Sequence, residues 1–228
     1  MIESIKTKAI VLRRTNYGEA DRILNVLTPE GKMSVMAKGV RKTRSKLAGG
    51  IELFCVSDVV VHRGRGELGI LTSARLVEFY GEIVKDLGAM ELAGEVLRQA
   101  SRRAEQVDGP EYFDLVEQVL AGMNEALKDD GSDKLPLVRA WWGMNVARVS
   151  GEEVNLRMDV DGAKLRPEER YVWDAVEQAM RKSENGEMGA EHIKLMRLMV
   201  SSPLKLALKV KSVEKLVDEI GSVLRSLV

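Results

Sequence analysis

Residues 7–38 read TKAIVLRRTNYGEADRILNVLTPEGKMSVMAK, and this stretch decides the fold. Aliphatic and β-branched residues come in short runs, separated by turn formers at Asn16, Tyr17 and Gly18 and again at Pro29, Glu30 and Gly31. Such runs favour strands over helices, and a Gly- or Pro-containing break after each one favours hairpins. The spacing predicts strands over residues 7–12, 21–28 and 32–38. In the last of these Met33, Val35 and Ala37 alternate with their neighbours.

Working outward, residues 51–62 form a long strand candidate, and residues 68–76 make its partner across the tight Gly64, Arg65, Gly66 connection. Five short strands joined as a meander within 80 residues predict a small closed barrel, because so short an open sheet would leave its edges unpaired. From Phe79 onward the period becomes helical. Leu87, Leu92, Val96 and Leu97 start one helix. Pro110 opens a second, with Phe113, Val116, Leu120 and Met123 on one face. Leu135, Val138, Trp142, Val146 and Val149 mark a third, stopped by Gly151. Residues 151–166 read as irregular, and helices are predicted over residues 167–182, 190–201 and 212–227. The expected fold class is α+β: a five-stranded barrel over residues 1–80, then an all-helical domain over residues 81–228.

The 228 residues carry 35 Lys+Arg and 35 Asp+Glu, a formal net charge of zero, with 45% hydrophobic residues. That composition excludes a largely disordered chain. The single cysteine, Cys55, excludes an internal disulfide and any structural zinc site built on two or more cysteines. No apolar run is long enough to span a membrane and the N-terminus has no signal-peptide pattern, so the expectation is a cytoplasmic protein with no membrane association. The neutral sum divides unevenly. Residues 1–80 carry 14 basic and 8 acidic side chains, a net of +6, and residues 81–228 carry 21 and 27, a net of −6. Either the imbalance is solvated charge or the first half holds a polyanion.

No catalytic constellation stands out. His62 lies within a predicted strand and His192 at the start of a predicted helix, neither beside a nucleophile. The G-x-G-x-x-G match from Gly64 to Gly69 joins two strands where a dinucleotide site needs a helix, so it reads as a hairpin. Asp159, Asp161 and Gly162 match part of a calcium loop, but Arg157 stands where its first carboxylate belongs. Neither cofactor nor metal is expected, and no enzymatic activity.

The basic segment at residues 38–46, KGVRKTRSK, places five cations in nine residues between the third and fourth strands. Arg13, Arg14, Tyr17 and Lys32 come from the first turns, and Arg63 and Arg65 from the last hairpin. In a five-stranded barrel, oligonucleotides bind across strands two and three and beside the first and last loops. Phosphate neutralisation there gives salt-sensitive binding without sequence preference. Aromatic residues are too few for a stacking platform, so backbone contacts should dominate for single and double strands alike. Trp141, Trp142 and the face formed by Ile193, Met196, Met199 and Val200 read as helical core.

Residues 7–12 (TKAIVL), 17–24 (YGEADRIL), 27–32 (LTPEGK) and 37–42 (AKGVRK), with Ser45, Lys46 and Gly49, together resemble the opening of the RecO family of recombination mediators. The order and spacing of these pieces carry the resemblance over about 50 residues; beyond residue 80 it rests on length and helical character. It implies an OB-fold barrel followed by a helical bundle, binding single- and double-stranded DNA and annealing complementary strands. It also implies work with RecR, often RecF, docking of the acidic C-terminal tail of the single-stranded DNA-binding protein SSB, and loading of RecA onto coated strands, in a bacterial, nucleoid-associated setting. Lys38, Arg41, Lys42 and Lys46 fall inside the matching motif as DNA contacts. Arg13, Arg14, Tyr17, Lys32, Arg44, Arg63 and Arg65 are added from charge and position. Arg197, Lys205, Lys209 and Lys211 are the cations nearest to what a tail-binding surface needs. Many family members bind zinc through four cysteines in the helical domain; residues 150–190 here hold none, so the irregular segment is expected to be held by packing alone. Two rival readings stay open on the residues: an RNA-binding or translation-associated barrel, and a protein adaptor whose basic loop is incidental.

Overall fold

A computed structural model describes residues 3–64, 66–104, 109–129 and 131–227 of the chain. Five strands, β1 (Glu3–Tyr17), β2 (Asp21–Thr28), β3 (Gly31–Ala37), β4 (Cys55–Arg63) and β5 (Leu68–Phe79), close into a barrel in the order β1-β2-β3-β5-β4, the OB-fold arrangement. β1 is long enough to serve two neighbours. Its first half pairs antiparallel with β4, from Glu3 opposite Arg63 to Ile10 opposite Val56. Its second half pairs with β2, out to Tyr17 opposite Asp21, after an irregularity between Val11 and Arg13 that bends the strand. A short parallel contact of Ser34–Met36 with Leu68–Ile70 closes the ring.

Alternation then decides what lies inside. Ala9, Val11, Leu24, Val26, Val35, Val59, Val61 and Leu71 fill the interior, and Val40 and Ile51 plug it from the segment between β3 and β4. These small, branched side chains suit a narrow barrel. The last glycine of the 64–69 match is explained by this packing, since a Cβ on Gly69 would stand 2.5 Å from Val61 Cγ1. Cys55 is buried, and burial pushes its thiol up from the ordinary range while its Sγ donates to the Glu52 carbonyl at 3.0 Å. Such a thiol is inert.

Two compact units are present, Met1–Glu125 and Ala126–Val228. The first includes, with the barrel, helix α1 (Leu87–Arg103) and most of α2 (Pro110–Lys128). The Asp86 side chain caps α1 by accepting from the Ala89 amide at 2.7 Å. Lys32 Nζ of β3 donates to the Ser101 carbonyl of α1 at 2.8 Å.

The second unit is built around α3 (Leu135–Val149), whose residues from Leu137 to Ala147 are buried apart from Arg139. A helix apolar on nearly all sides belongs inside its unit. Trp141 and Trp142 lie in this core together with Ile193, Met196 and Met199 of α4 (Ala190–Ser201). Asn145 is buried too, and its amide donates to the carbonyls of Trp141 and Met199, both at 2.9 Å.

The second unit departs from the all-helical expectation in one place. Residues 151–166 contain a strand, β6 (Asn155–Asp159), and residues 167–182 form the hairpin of β7 (Tyr171–Asp174) and β8 (Ala179–Lys182), where a helix was expected. β6 pairs parallel with β8, giving the order β6-β8-β7. The local cause is the turn. The Asp174 carboxylate accepts from the amides of Val176 and Glu177 at 3.0 Å each, and Gln178 takes a left-handed φ of 49°. That geometry ends a helix and starts a hairpin. Val176, an apolar position in the helical reading, is 90% exposed at the tip.

Side-chain clamps hold this region, contrary to packing alone. Asp159 Oδ1 accepts from the amides of Asp161 and Ala163, Asn155 Oδ1 from those of Arg157 and Met158, and Tyr171 Oη from that of Arg166. The expected helix over residues 212–227 is two short ones, α6 (Glu214–Glu219) and α7 (Gly221–Ser226), broken at Ile220, and a four-residue α5 (Leu204–Ala207) precedes them. Among the described residues, no helix is long and apolar enough to cross a membrane and no cluster of His, Cys, Asp and Glu has the makings of a metal site.

Candidate nucleic-acid interface

The turn between β1 and β2 and the segment after β3 are built against each other. Gly18 and Gly39 both take left-handed φ, 55° and 64°, which glycine adopts without strain. The Gly39 amide donates to Asp21 Oδ1 at 2.7 Å, and the Arg41 amide to the Ala20 carbonyl at 2.9 Å. The Arg41 guanidinium reaches the Gly18 carbonyl at 3.2 Å. Bonds from the Lys42 amide to the Gly39 carbonyl and from the Ser45 amide to the Lys42 carbonyl fold the segment back on itself. Val40 at one end and Ile51 at the other are sunk in the barrel core, with Leu47 and Ala48 packed beside them.

Lys38, Arg41, Lys42, Arg44 and Lys46 are therefore exposed on a loop that is anchored at both ends. None of the five meets a carboxylate among the described residues. A cationic loop ordered before binding loses less conformational entropy on contact with a polyanion than a free one. Tyr17, 54% exposed, stands at the adjoining hairpin.

Beside the loop runs the outer wall of β1, β2 and β3. Because Leu24, Val26 and Val35 face inward, the register puts Arg13, Asn25 and Ser34 in one outward row and Thr15, Ile23 and Met36 in the next. Ser34 Oγ bonds Asn25 Oδ1 at 3.1 Å. The rows continue onto β5 through Leu68 and Ile70. Arg13 is exposed, Ile23, Met36 and Ile70 are half-buried, and Leu68 is 37% exposed. This aliphatic strip was missed in the sequence, where a search for aromatic stacking partners passed over it; the signal was the outward half of the alternation in β2 and β3. It offers apolar contact to a base or sugar flanked by cations. Arg22, whose Nε bonds Asn16 Oδ1 at 3.2 Å, is a further missed cation near the hairpin.

The remaining sequence candidates fall elsewhere. Arg14 is held in an ion pair with Glu52, and Lys32 is directed to α1 through Ser101. Arg63 is exposed at the end of β4, opposite Glu3. Arg65 lies outside the described residues.

In the second unit, Arg197 is spent on structure: its guanidinium donates twice to the Leu156 carbonyl, at 3.0 and 2.7 Å. Lys205 is exposed on α5. Lys209 and Lys211 line a groove of about 480 Å3 together with Lys134, which the sequence reading had passed over, the carboxylates of Asp133 and Glu214, and the apolar side chains of Leu137, Val213 and Val217. Ser212 between them holds a left-handed φ of 57°.

Residues 1–80 match the family model for the recombination protein O N-terminal domain. The DNA repair protein RecO of Dehalococcoides mccartyi strain 195 is 34% identical over 154 residues, which covers 67% of this chain and 58% of that protein. RecO of Roseiflexus sp. strain RS-1 is 34% identical over 122 residues, 52% and 42% of the two chains. RecO of Exiguobacterium sibiricum is 36% identical over 127 residues, 55% and 51%. The matched stretch spans about half the length of these curated relatives.

Proposed function

The chain belongs to the RecO family, and from that premise we propose that it is a DNA repair protein of the RecO type that binds single- and double-stranded DNA and anneals complementary strands. The observation that carries this reading is the anchored loop: five exposed cations, without carboxylate partners among the described residues, beside an outward wall of Arg13, Asn25 and Ile23. Those side chains replace small cations condensed on the phosphates, and release of the ions drives binding at low salt. Once cations screen both backbones, two strands repel each other less, and pairing proceeds without any covalent chemistry from the protein.

The groove is lined by Lys134, Lys209 and Lys211 against Asp133 and Glu214, a small cationic excess beside the apolar Leu137, Val213 and Val217, which suits an acidic, apolar peptide terminus. It is our candidate for docking the SSB tail. With the tail held there, the barrel works on the strand that SSB coats, and RecR, RecF and RecA act on the product. The setting proposed is the bacterial cytoplasm.

Annealing of SSB-coated complementary strands tests both parts together. The chain should accelerate annealing with full-length SSB and lose most of that acceleration with tail-deleted SSB. Acceleration of neither would sink the DNA reading, and equal acceleration of both would sink the groove. Preference for RNA over DNA in competition would favour an RNA-binding barrel.

A further inference from the structure

We propose that the barrel has a second nucleic-acid wall, on the outer face of β4, β5 and the first half of β1, which holds one strand while residues 38–46 hold another. The proposal rests on the DNA-binding reading above and names where a second strand lies.

Outward positions of β1 alternate through Ser4, Lys6 and Lys8, all exposed. The register carries them across the sheet: Lys8 lies opposite Asp58, which lies opposite Arg75, and Lys6 lies opposite Val60, which lies opposite Ser73. Together these six side chains line a shallow depression of about 460 Å3. Lys6 and Lys8 meet no carboxylate among the described residues. The two carboxylates nearby are engaged, Asp58 by Arg75 at 2.6 Å and Glu30 by the Thr7 hydroxyl at 2.8 Å. Arg75 remains 79% exposed at its side chain, so its guanidinium still faces solvent.

Two lysines at i and i+2 of a strand stand about 6.7 Å apart along it, a spacing that suits successive phosphates of an extended backbone. The Ser73 hydroxyl, exposed on the neighbouring strand, adds a donor. An acidic peptide would want an apolar recess as well, and of the six side chains named in the depression only the half-buried Val60 is apolar. The chemistry therefore favours a sugar-phosphate chain. From Lys8 to Tyr17, next to Gly18 where the cationic loop is tied, β1 rises through nine residues, about 30 Å measured along the strand, and bends between Val11 and Arg13. Two polyanions held on separate stretches of one strand are neutralised separately, which is what bringing complementary chains together requires.

The test uses two labelled, non-complementary oligonucleotides of about ten nucleotides, a length suited to one OB-fold site. Binding of both to one chain is read by native mass spectrometry and by energy transfer between the labels. The full chain should bind two. Lys6→Ala/Lys8→Ala should keep first-strand affinity within about twofold and bind the second about 25-fold more weakly at 0.1 M salt, from a slope of about 0.7 per phosphate contact. Unchanged binding of the second strand in this variant overturns the proposal. So does an equal loss for the first strand, which would make the wall part of one continuous track, and so does displacement of the second strand by poly-glutamate as readily as by DNA. If the unaltered chain binds no DNA, the functional reading itself fails. If it binds one strand only, that reading stands and the second wall does not.

Discussion

The two sheets of this chain are held in different ways. In the barrel, strands of seven to fifteen residues enclose a closed set of aliphatic side chains, and the ladder leaves no long edge on β1, β2 or β4. In the second unit, strands of four and five residues bury only a few side chains, such as Tyr171 and Met180, and their turns are fastened by side chains that bond to backbone amides, such as Asp159, Asn155 and Asp174. Packing dominates the first sheet, and local polar geometry adds to packing in the second. The cationic loop follows the barrel's rule, since Val40 and Ile51 fix it and its charges are left over for a ligand.

If that contrast is right, the largest effect comes from a cavity in the barrel. Leu24, fully buried at the centre of β2, should cost about 2–5 kcal/mol when replaced by alanine. Denaturant unfolding checks this, and a loss well under 1 kcal/mol would mean the barrel is not packed as described. Next is Arg41→Ala/Lys42→Ala/Arg44→Ala. Three phosphate contacts at about 0.7 of slope each amount to roughly a hundredfold loss of single-strand affinity at 0.1 M salt, equivalent to about 2.7 kcal/mol. Unfolding of this variant should stay within about 1 kcal/mol of the parent, because the three side chains are exposed, Val40 and Ile51 still anchor the loop, and only the exposed bond from Arg41 to the Gly18 carbonyl is lost. Fluorescence anisotropy across a salt series measures the affinity. An unchanged slope would return the loop to the adaptor reading.

The same contrast explains what could be read from the sequence. Alternation through Met33, Val35 and Ala37, with turns at Gly18 and Gly31, disclosed the barrel because a two-sided strand writes its inside and outside in period two. The cations at residues 38–46 were legible because they sit in one continuous run. Their usefulness was not, since Arg14 and Lys32 look equally available until Glu52 and the Ser101 carbonyl claim them. Residues 167–182 misled for a physical reason. Strands of four residues are too short to show a period, and Ala175, Val176 and Ala179 supply apolar spacing that a helix accepts equally well. What decides between them is one carboxylate, Asp174, accepting two amides.

Asp159→Ala sharpens the comparison from the other side. The carboxylate is largely buried and accepts from two amides, at 3.0 and 2.8 Å. Hydrogen bonds to a charged acceptor contribute about 1.5–3 kcal/mol. The loss should be local, near 2 kcal/mol (about thirtyfold) in the protection of the Asp161 and Ala163 amides by hydrogen exchange. Barrel amides should be unaffected. Barrel protection falling in step would show that the two sheets are not held independently.

Acid gives the gentlest way to separate them. Asp174 has its carboxyl held below the ordinary value of 3.8, first by the Glu177 amide and then by the Arg181 guanidinium. Glu219 is held below its ordinary 4.5, chiefly by His192, whose Nε2 bonds it at 2.8 Å, and further by Lys215. A carboxylate whose pKa is lower folded than unfolded stabilises the fold above its unfolded value, and that contribution is lost as the pH falls through the folded one. Both groups belong to the second unit and both are half-buried at the surface, where solvent still screens them, which keeps the effect small. Among the described residues, the barrel buries no carboxylate. On lowering the pH from neutral to below 3.8, the amides around the Asp174 turn and along α6 should therefore lose protection before those of β2 and β4 do. Asp174→Asn, which keeps the turn's acceptor oxygen but cannot ionise, should flatten the response at the hairpin and leave that of α6 in place. A barrel that opened first in acid would reverse the assignment, because its stability would then depend on charges that its interior does not hold.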